Sequence, residues 1–128
     1  MSNYESRENY LVAIYVLSKK TSEVHPVEIS EMLNFKLPSV SHMMSVLAKD
    51  KLVLRKENGT IMLTCEGKKI AEKLHQKRCF FKKLLINAGV DKGKAEKEAC
   101  RMEHALSDSS FEMLQELLKR VGILYVSN

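Results

Sequence analysis

The chemistry in this sequence is concentrated in one short stretch, Glu98-Ala99-Cys100-Arg101-Met102-Glu103-His104. Cys100, Glu103 and His104 stand at i, i+3 and i+4, so on a helix all three project from one face. A thiolate, a carboxylate and an imidazole converging there can take three positions around a divalent transition metal. Each also has an ordinary explanation: Cys100 as a small core residue, Glu103 as a surface charge, His104 as a satisfied interfacial histidine. A fourth ligand has to come from elsewhere. Cys79, with His75 one turn before it, and Asn9 or Glu8 near the N-terminus are the residues available. Cys65, at a helix start, reads as structural.

A second group of residues suits phosphates and base edges. Ser39, His42, Ser45 and Lys49 face outward on a short helix, with Ser41 on the flank, Lys36 in the turn before it and Pro38 opening it. Arg55 and Lys56 lie on a hairpin that follows. The charge is placed to match. The net charge is +5, and residues 36–78 hold ten basic against four acidic side chains, while residues 1–35 hold three against five and residues 79–128 eight against seven. An excess confined to the middle third is the footprint of a surface facing nucleic acid, although a charge run alone is more often a solvated face. Small hydroxyls and free N–H groups at a helix N-terminus suit anions and base edges.

The elements that position these groups follow from spacing. Tyr10, Ile14 and Leu17 recur at helical intervals over Asn3 to about Lys19, and Ser2 with Glu5 fits a capping box at its start. Pro26 has the φ of a first helical turn, so a helix is expected from there to about Leu33, with Ile29, Met32 and Leu33 inward. Asn34 to Leu37 is a turn. A second helix runs from Pro38 to about Lys51, with Val40, Met43, Met44 and Leu47 inward; the pair reads as helix-turn-helix. Leu52–Lys56 and Thr60–Thr64 alternate as strands around Glu57-Asn58-Gly59, and the Asn-Gly pair predicts a type I′ hairpin. A hairpin directly after a helix-turn-helix is a winged helix.

Thr64 is placed to cap a long helix from Cys65 to about Asn87 with the stripe Ile70, Leu74, Phe81 and Leu85. Gly89 ends it. Asp91 caps a helix to about Leu106, and Ser107 with Asp108 caps a last one carrying Phe111, Leu114, Leu118 and Val121, ended by Gly122. The expected fold is mostly α: a winged helix-turn-helix DNA-binding domain over 1–64, then a helical metal-binding and dimerisation domain over 65–128. Three helices are too few to enclose a core alone, so a homodimer is expected, which also suits two recognition helices about 34 Å apart on DNA.

At 128 residues and 14.6 kDa there is room for one domain or two small ones. The longest apolar run, Tyr10 to Leu17, is far short of the roughly twenty residues a bilayer span needs. The N-terminal segment, with Glu5, Arg7 and Glu8, does not read as a secretory signal. Three cysteines make no disulfide framework, and a reducing cytoplasm is the expected compartment. No phosphate-cradling glycine loop, nucleophile elbow or second carboxylate–histidine group argues for an enzyme.

Over essentially its whole length the chain resembles the diphtheria toxin repressor family of metal-dependent transcriptional regulators. The marks are Glu8-Asn9-Tyr10-Leu11 with Ile14-Tyr15, Pro38-Ser39-Val40-Ser41, Leu63-Thr64 with Gly67, and Glu98 to His104 with Leu106-Ser107-Asp108. The resemblance implies a homodimer that binds palindromic operator DNA when loaded with iron(II) or manganese(II), repressing metal uptake genes. It is similar to the compact form without an SH3-like domain. By the same resemblance Cys100, Glu103 and His104 form the primary metal site with Asn9, and Cys79 falls at a histidine ligand position. Lys36, Pro38, Ser39 and His42 fall at operator-contacting positions. The sequence departs from the family where Asn9 replaces methionine or aspartate, Val12 a glutamate and Cys79 a histidine, and where Lys83 lies near a carboxylate position. Two thiolates make a soft site, which favours iron(II) over manganese(II), with zinc(II), cobalt(II) or nickel(II) as surrogates. The expected switch is a metal that ties the first helix to the one bearing Cys100. Three rivals stand beside it: a winged-helix regulator without a metal response whose Cys79 and Cys100 sense oxidants, an enzyme with Glu103 as base, and a winged helix that binds only protein.

Overall fold

The computed structural model describes the backbone of residues 3–122 and the side chains of residues 6–122. Ser2 and the Glu5 side chain, and with them the expected capping box, lie outside the described residues. In chain order the elements are α1 (Asn3–Lys20), α2 (Pro26–Leu33), α3 (Leu37–Lys49), β1 (Val53–Arg55), β2 (Ile61–Leu63), α4 (Cys65–Asn87), α5 (Lys92–Met102) and α6 (Asp108–Arg120). The fold is the expected one, a winged helix-turn-helix followed by helices. Residues 1–72 and 73–128 form two compact units, with α4 passing from one to the other. Among the described residues, no helix is long and apolar enough to cross a membrane.

In the first unit α1 is the centre. Tyr10 through Tyr15 are all buried, so the helix is covered round its circumference rather than along one stripe. Ile14, Ile29, Val40, Met44 and Leu47 are wholly inaccessible and form one apolar cluster with Val24, Val53, Ile61 and Ala71. Glu28 accepts from the His25 backbone N–H at 2.8 Å and so closes the start of α2. Asn34 ends that helix in the left-handed region at φ 58°, which an asparagine tolerates. The reversal brings Phe35 onto Tyr10, ring centroids 5.6 Å apart, and Ser30 Oγ donates to the Phe35 carbonyl at 2.6 Å. Met32, expected inward, is instead exposed; Phe35 takes the place on the core that the sequence pattern assigned to it.

The wing is tied in on both sides. Val53 pairs with Leu63 and Arg55 with Ile61, and Ile61 N–H donates to the Val24 carbonyl at 2.8 Å. Its tip is not type I′. Gly59 has φ 87°, but Asn58 is not among the residues with positive φ. Gly59 N–H bonds the Lys56 carbonyl and Lys56 N–H the Thr60 carbonyl, both at 2.9 Å. This is the three-residue loop in which one glycine supplies the left-handed bulge, so Asn58 need not adopt positive φ. Asn58 Oδ1 accepts from Thr60 N–H and Oγ1 instead. Thr64 caps α4 as expected, its Oγ1 accepting from Gly67 N–H at 3.1 Å and donating to the Lys51 carbonyl at 2.8 Å. A Cβ at Gly67 would meet the Leu52 carbonyl oxygen at 2.1 Å, so only glycine lets the first turn of α4 approach the wing so closely.

The second unit has a small aromatic centre. Phe80 meets Phe81 and Phe111 edge to face, centroids 5.1 Å apart in each case, with Ala99 buried beside them and Met102, Leu106, Leu114 and Leu118 packed round. Asp91 Oδ2 caps α5 through Lys94 N–H, and Ser107 Oγ caps α6 through Ser110 N–H at 3.1 Å. α5 stops at Met102, short of the expected Leu106. Residues after it continue as tighter turns, His104 N–H to the Arg101 carbonyl and Ala105 N–H to that of Met102. Beyond them Ser107 is extended (φ −70°, ψ 161°) as the cap of α6, and the Leu106 carbonyl accepts from Lys77.

Candidate metal centre and nucleic-acid interface

The connection from α5 to α6 is held against α4 by charge. Lys77, buried, donates from Nζ to the Leu106 carbonyl at 2.7 Å and pairs with Asp108 Oδ1 at 3.0 Å. Lys73 Nζ reaches Asp108 Oδ2 at 3.2 Å. The hydrogen bond from Lys77 is the main cause that holds the Asp108 carboxyl below the usual carboxylate range; burial opposes it and Lys73 reinforces it. Further along the same two helices Lys82 pairs with Glu96 at 3.5 Å. These contacts fix the stretch Cys100 to His104 opposite the middle of α4.

There the ligand atoms of Cys100, Glu103 and His104 all lie within 4.8 Å of one another. The turns after Met102 keep the helical sense, so the i, i+3, i+4 spacing delivers one face even though α5 has ended. Bonds to a divalent ion of about 2.0–2.3 Å place ligands roughly 3–4 Å apart, so small side-chain movements would bring these three donors onto one ion. Glu103 is wholly buried, and the His104 side chain is 5% exposed with Nε2 3.3 Å from Glu103 Oε2. A carboxylate in such a place must be neutralised. Arg78 of α4 is a charged partner to it. Its Nε donates to Glu103 Oε1 at 2.6 Å, its Nη2 to Oε2 at 3.3 Å and to Cys100 Sγ at 3.7 Å. Burial works against the guanidinium charge, but the hydrogen bond and the charge interactions with Glu103, Cys100 and Cys79 outweigh it, so its pKa is held above the ordinary value.

Arg78 and Lys77 were not among the residues expected to matter. A signal for them exists in the sequence. The α4 stripe Ile70, Leu74, Phe81 and Leu85 skips one turn, and the residues in the gap are Lys77 and Arg78. Basic side chains on the apolar face of a helix require buried acceptors or carboxylates to receive them. Cys79 is not in the cluster; its Sγ lies 3.6 Å from His75 Nε2 on the same helix. The two residues line a groove of about 340 Å³ with Phe80, Lys83, Gln115 and Lys119. Asn9 is half-buried and Glu8 buried on α1. Cys65, at the start of α4, is exposed. The donor set brought together thus has one sulfur, and the argument from two thiolates reduces to Cys100.

In the first unit, Lys36, Pro38, Ser39, His42, Ser45 and Lys49 are exposed along α3 and its N-cap, and Ser41 is half-buried. The wing meets this helix through Arg55. Its Nη1 donates to Ser45 Oγ at 2.7 Å and its Nη2 to Ser41 Oγ at 3.2 Å. Lys56 is exposed beside it. Three of the residues expected at DNA are therefore engaged with one another, the arginine fixing the wing against α3.

The family model for the iron-dependent repressor N-terminal DNA-binding domain matches residues 4–60. That for the iron-dependent repressor metal-binding and dimerisation domain matches residues 64–122. The chain is 32% identical over 118 residues to an uncharacterised HTH-type transcriptional regulator of Methanocaldococcus jannaschii, covering 91% of this chain and 94% of that one. It is 30% identical over 119 residues to the diphtheria toxin repressor of Corynebacterium diphtheriae, covering 92% of this chain and 53% of the repressor. The solved structure of the manganese regulator SloR matches with a TM-score of 0.78 at 30% identity, over 88% of this chain and 53% of that one. The chain spans about half the length of the last two relatives and nearly all of the archaeal one.

Proposed function

Because the chain belongs to the iron-dependent repressor family of metal-dependent transcriptional regulators, we propose that it represses transcription by binding operator DNA as a homodimer when Cys100, Glu103 and His104 hold a divalent metal. The convergence of a thiol, a carboxylate and an imidazole within 4.8 Å carries this reading. A divalent metal would be held by Cys100, Glu103 and His104 and would bring positive charge to the buried Glu103 carboxylate. α3 with Lys36, Ser39, His42 and Lys49 enters the major groove, while Lys56 of the wing follows the phosphates and Arg55 holds the wing against α3. One thiolate beside one imidazole favours iron(II) over manganese(II), which prefers oxygen donors, and admits zinc(II), cobalt(II) and nickel(II) as surrogates. The genes controlled are those of metal uptake, and the compartment is the cytoplasm.

The test is selection of a duplex from a randomised pool with iron(II) present, followed by fluorescence anisotropy on that duplex with iron(II), manganese(II), zinc(II) or chelator. The reading expects metal to raise affinity and Cys100→Ser to abolish the gain. The 3.6 Å contact between Cys79 Sγ and His75 Nε2 favours a second reading, a thiol sensor. DNA affinity that changes with peroxide and ignores the chelator would select that one.

A further inference from the structure

We propose that Arg78 is a built-in cation that competes with the divalent metal for Glu103 and Cys100, and so sets the free-metal concentration at which the protein responds. The proposal rests on the metal reading of the cluster. Its basis is that a single nitrogen, Nη2, is 3.3 Å from Glu103 Oε2 and 3.7 Å from Cys100 Sγ. It thereby touches two of the three donors that an ion would bridge, while Nε takes the other carboxylate oxygen at 2.6 Å. The guanidinium stands in the cluster as a cation would.

The competition follows from charge. Glu103 is inaccessible to water, and a cation beside its carboxylate offsets the cost of burying it. Arg78 is planar, permanently charged and shaped to grip a carboxylate through two parallel bonds. An ion entering the cluster shares the Glu103 carboxylate with that grip, and it brings two positive charges close to a third. A metal site without this arginine would bind at lower metal concentration and would leave the metal-free protein without the two bonds that Arg78 gives the buried carboxylate. Arg78 therefore weakens metal binding and stabilises the metal-free state through the same two bonds.

Cobalt(II) titration of the full chain is the test, because thiolate-to-cobalt absorption reads ligation by Cys100 independently of DNA. Thermal unfolding in chelator and in excess cobalt(II) accompanies it. Arg78→Gln removes the charge and keeps a polar side chain of similar reach; Arg78→Lys keeps the charge without the two-pronged grip. Losing hydrogen bonds to a charged partner is expected to tighten cobalt(II) binding about 10- to 100-fold for Arg78→Gln, with a smaller gain for Arg78→Lys. The metal-free Tm should fall in Arg78→Gln and the rise in Tm on adding cobalt(II) should grow. If Arg78→Gln does not fold without metal, the affinity of Arg78→Lys decides. Unchanged or weaker binding in both variants would overturn the competition and leave Arg78 as a group that merely orients Glu103. A wild-type protein without any Cys100-dependent absorption would overturn the metal reading itself, and this proposal with it.

Discussion

In residues 1–72, Ile14, Ile29, Val40, Met44 and Leu47 are wholly buried in one apolar cluster, whereas the apolar centre of residues 73–128 is Phe80, Phe81, Ala99 and Phe111. Buried charges flank that smaller centre: Lys77 against Asp108 and the Leu106 carbonyl, and Arg78 against Glu103. Apolar burial responds little to pH, dilute salt and trace cations. Ion pairs in a low-dielectric setting respond to all three. The unit that carries the reading helix is thus held by forces that a ligand does not alter, and the other by forces that one ion can rearrange. For the proposed function that division is an advantage, because the surface proposed to contact DNA would keep its shape while the unit proposed to hold the metal responds.

The sharpest way to test this contrast is to remove one group from each unit. Glu103→Ala leaves Arg78 without its carboxylate and is expected to cost about 3–5 kcal/mol in urea unfolding under chelator, and added metal should restore none of it. Met44→Ala opens a cavity in the other unit and is expected to cost about 2–5 kcal/mol, with cobalt(II) affinity unchanged. Equal loss of metal affinity in both variants would erase the distinction between the units.

Arg55→Ala separates positioning from phosphate contact on the wing. With its guanidinium engaged by Ser41 and Ser45, its loss is expected to weaken duplex binding by roughly tenfold, about 1.4 kcal/mol and within the range for a single intramolecular hydrogen bond. The log–log salt slope should change by less than the 0.9 or so that one phosphate contact contributes. A full loss of that slope, read by anisotropy at several salt concentrations, would make Arg55 a phosphate ligand instead.

The smallest effect concerns acid. Asp108 binds its proton less readily in the folded chain than in the unfolded one, chiefly because Lys77 hydrogen-bonds to the ionised form. The stability it contributes is complete above about pH 4, the ordinary carboxylate range, and fades as pH falls below it. Asp108→Asn should flatten the acid limb of the unfolding curve, and an unchanged limb would remove Asp108 from the account.

What the sequence made legible was local. Pro26, Thr64 and Ser107 mark helix starts because proline and hydroxyl caps act within a turn, and the Cys100-Glu103-His104 face needs only helical spacing. What was not legible depends on partners far along the chain. Arg78 reaches Glu103 across 25 residues, and nothing in its own neighbourhood names that carboxylate. Met32 fits the inward pattern of α2, yet the turn at Asn34 gives its place to Phe35. The Asn58-Gly59 pair permits two loop types, and the Lys56–Thr60 bond, not the dipeptide, selects between them. Cys79 fills a ligand position by resemblance, but its sulfur lies against His75 on its own helix.

The central claim is that a metal held by Cys100, Glu103 and His104 and a duplex held by α3 and the wing are energetically coupled. The most direct measurement is the cobalt(II) affinity of the protein with and without its selected duplex. Linkage requires the duplex to tighten cobalt(II) by the same factor by which cobalt(II) tightens the duplex, and the account expects that factor to be about 5- to 150-fold, the usual range of such couplings. Identical cobalt(II) affinities in the two conditions would contradict it.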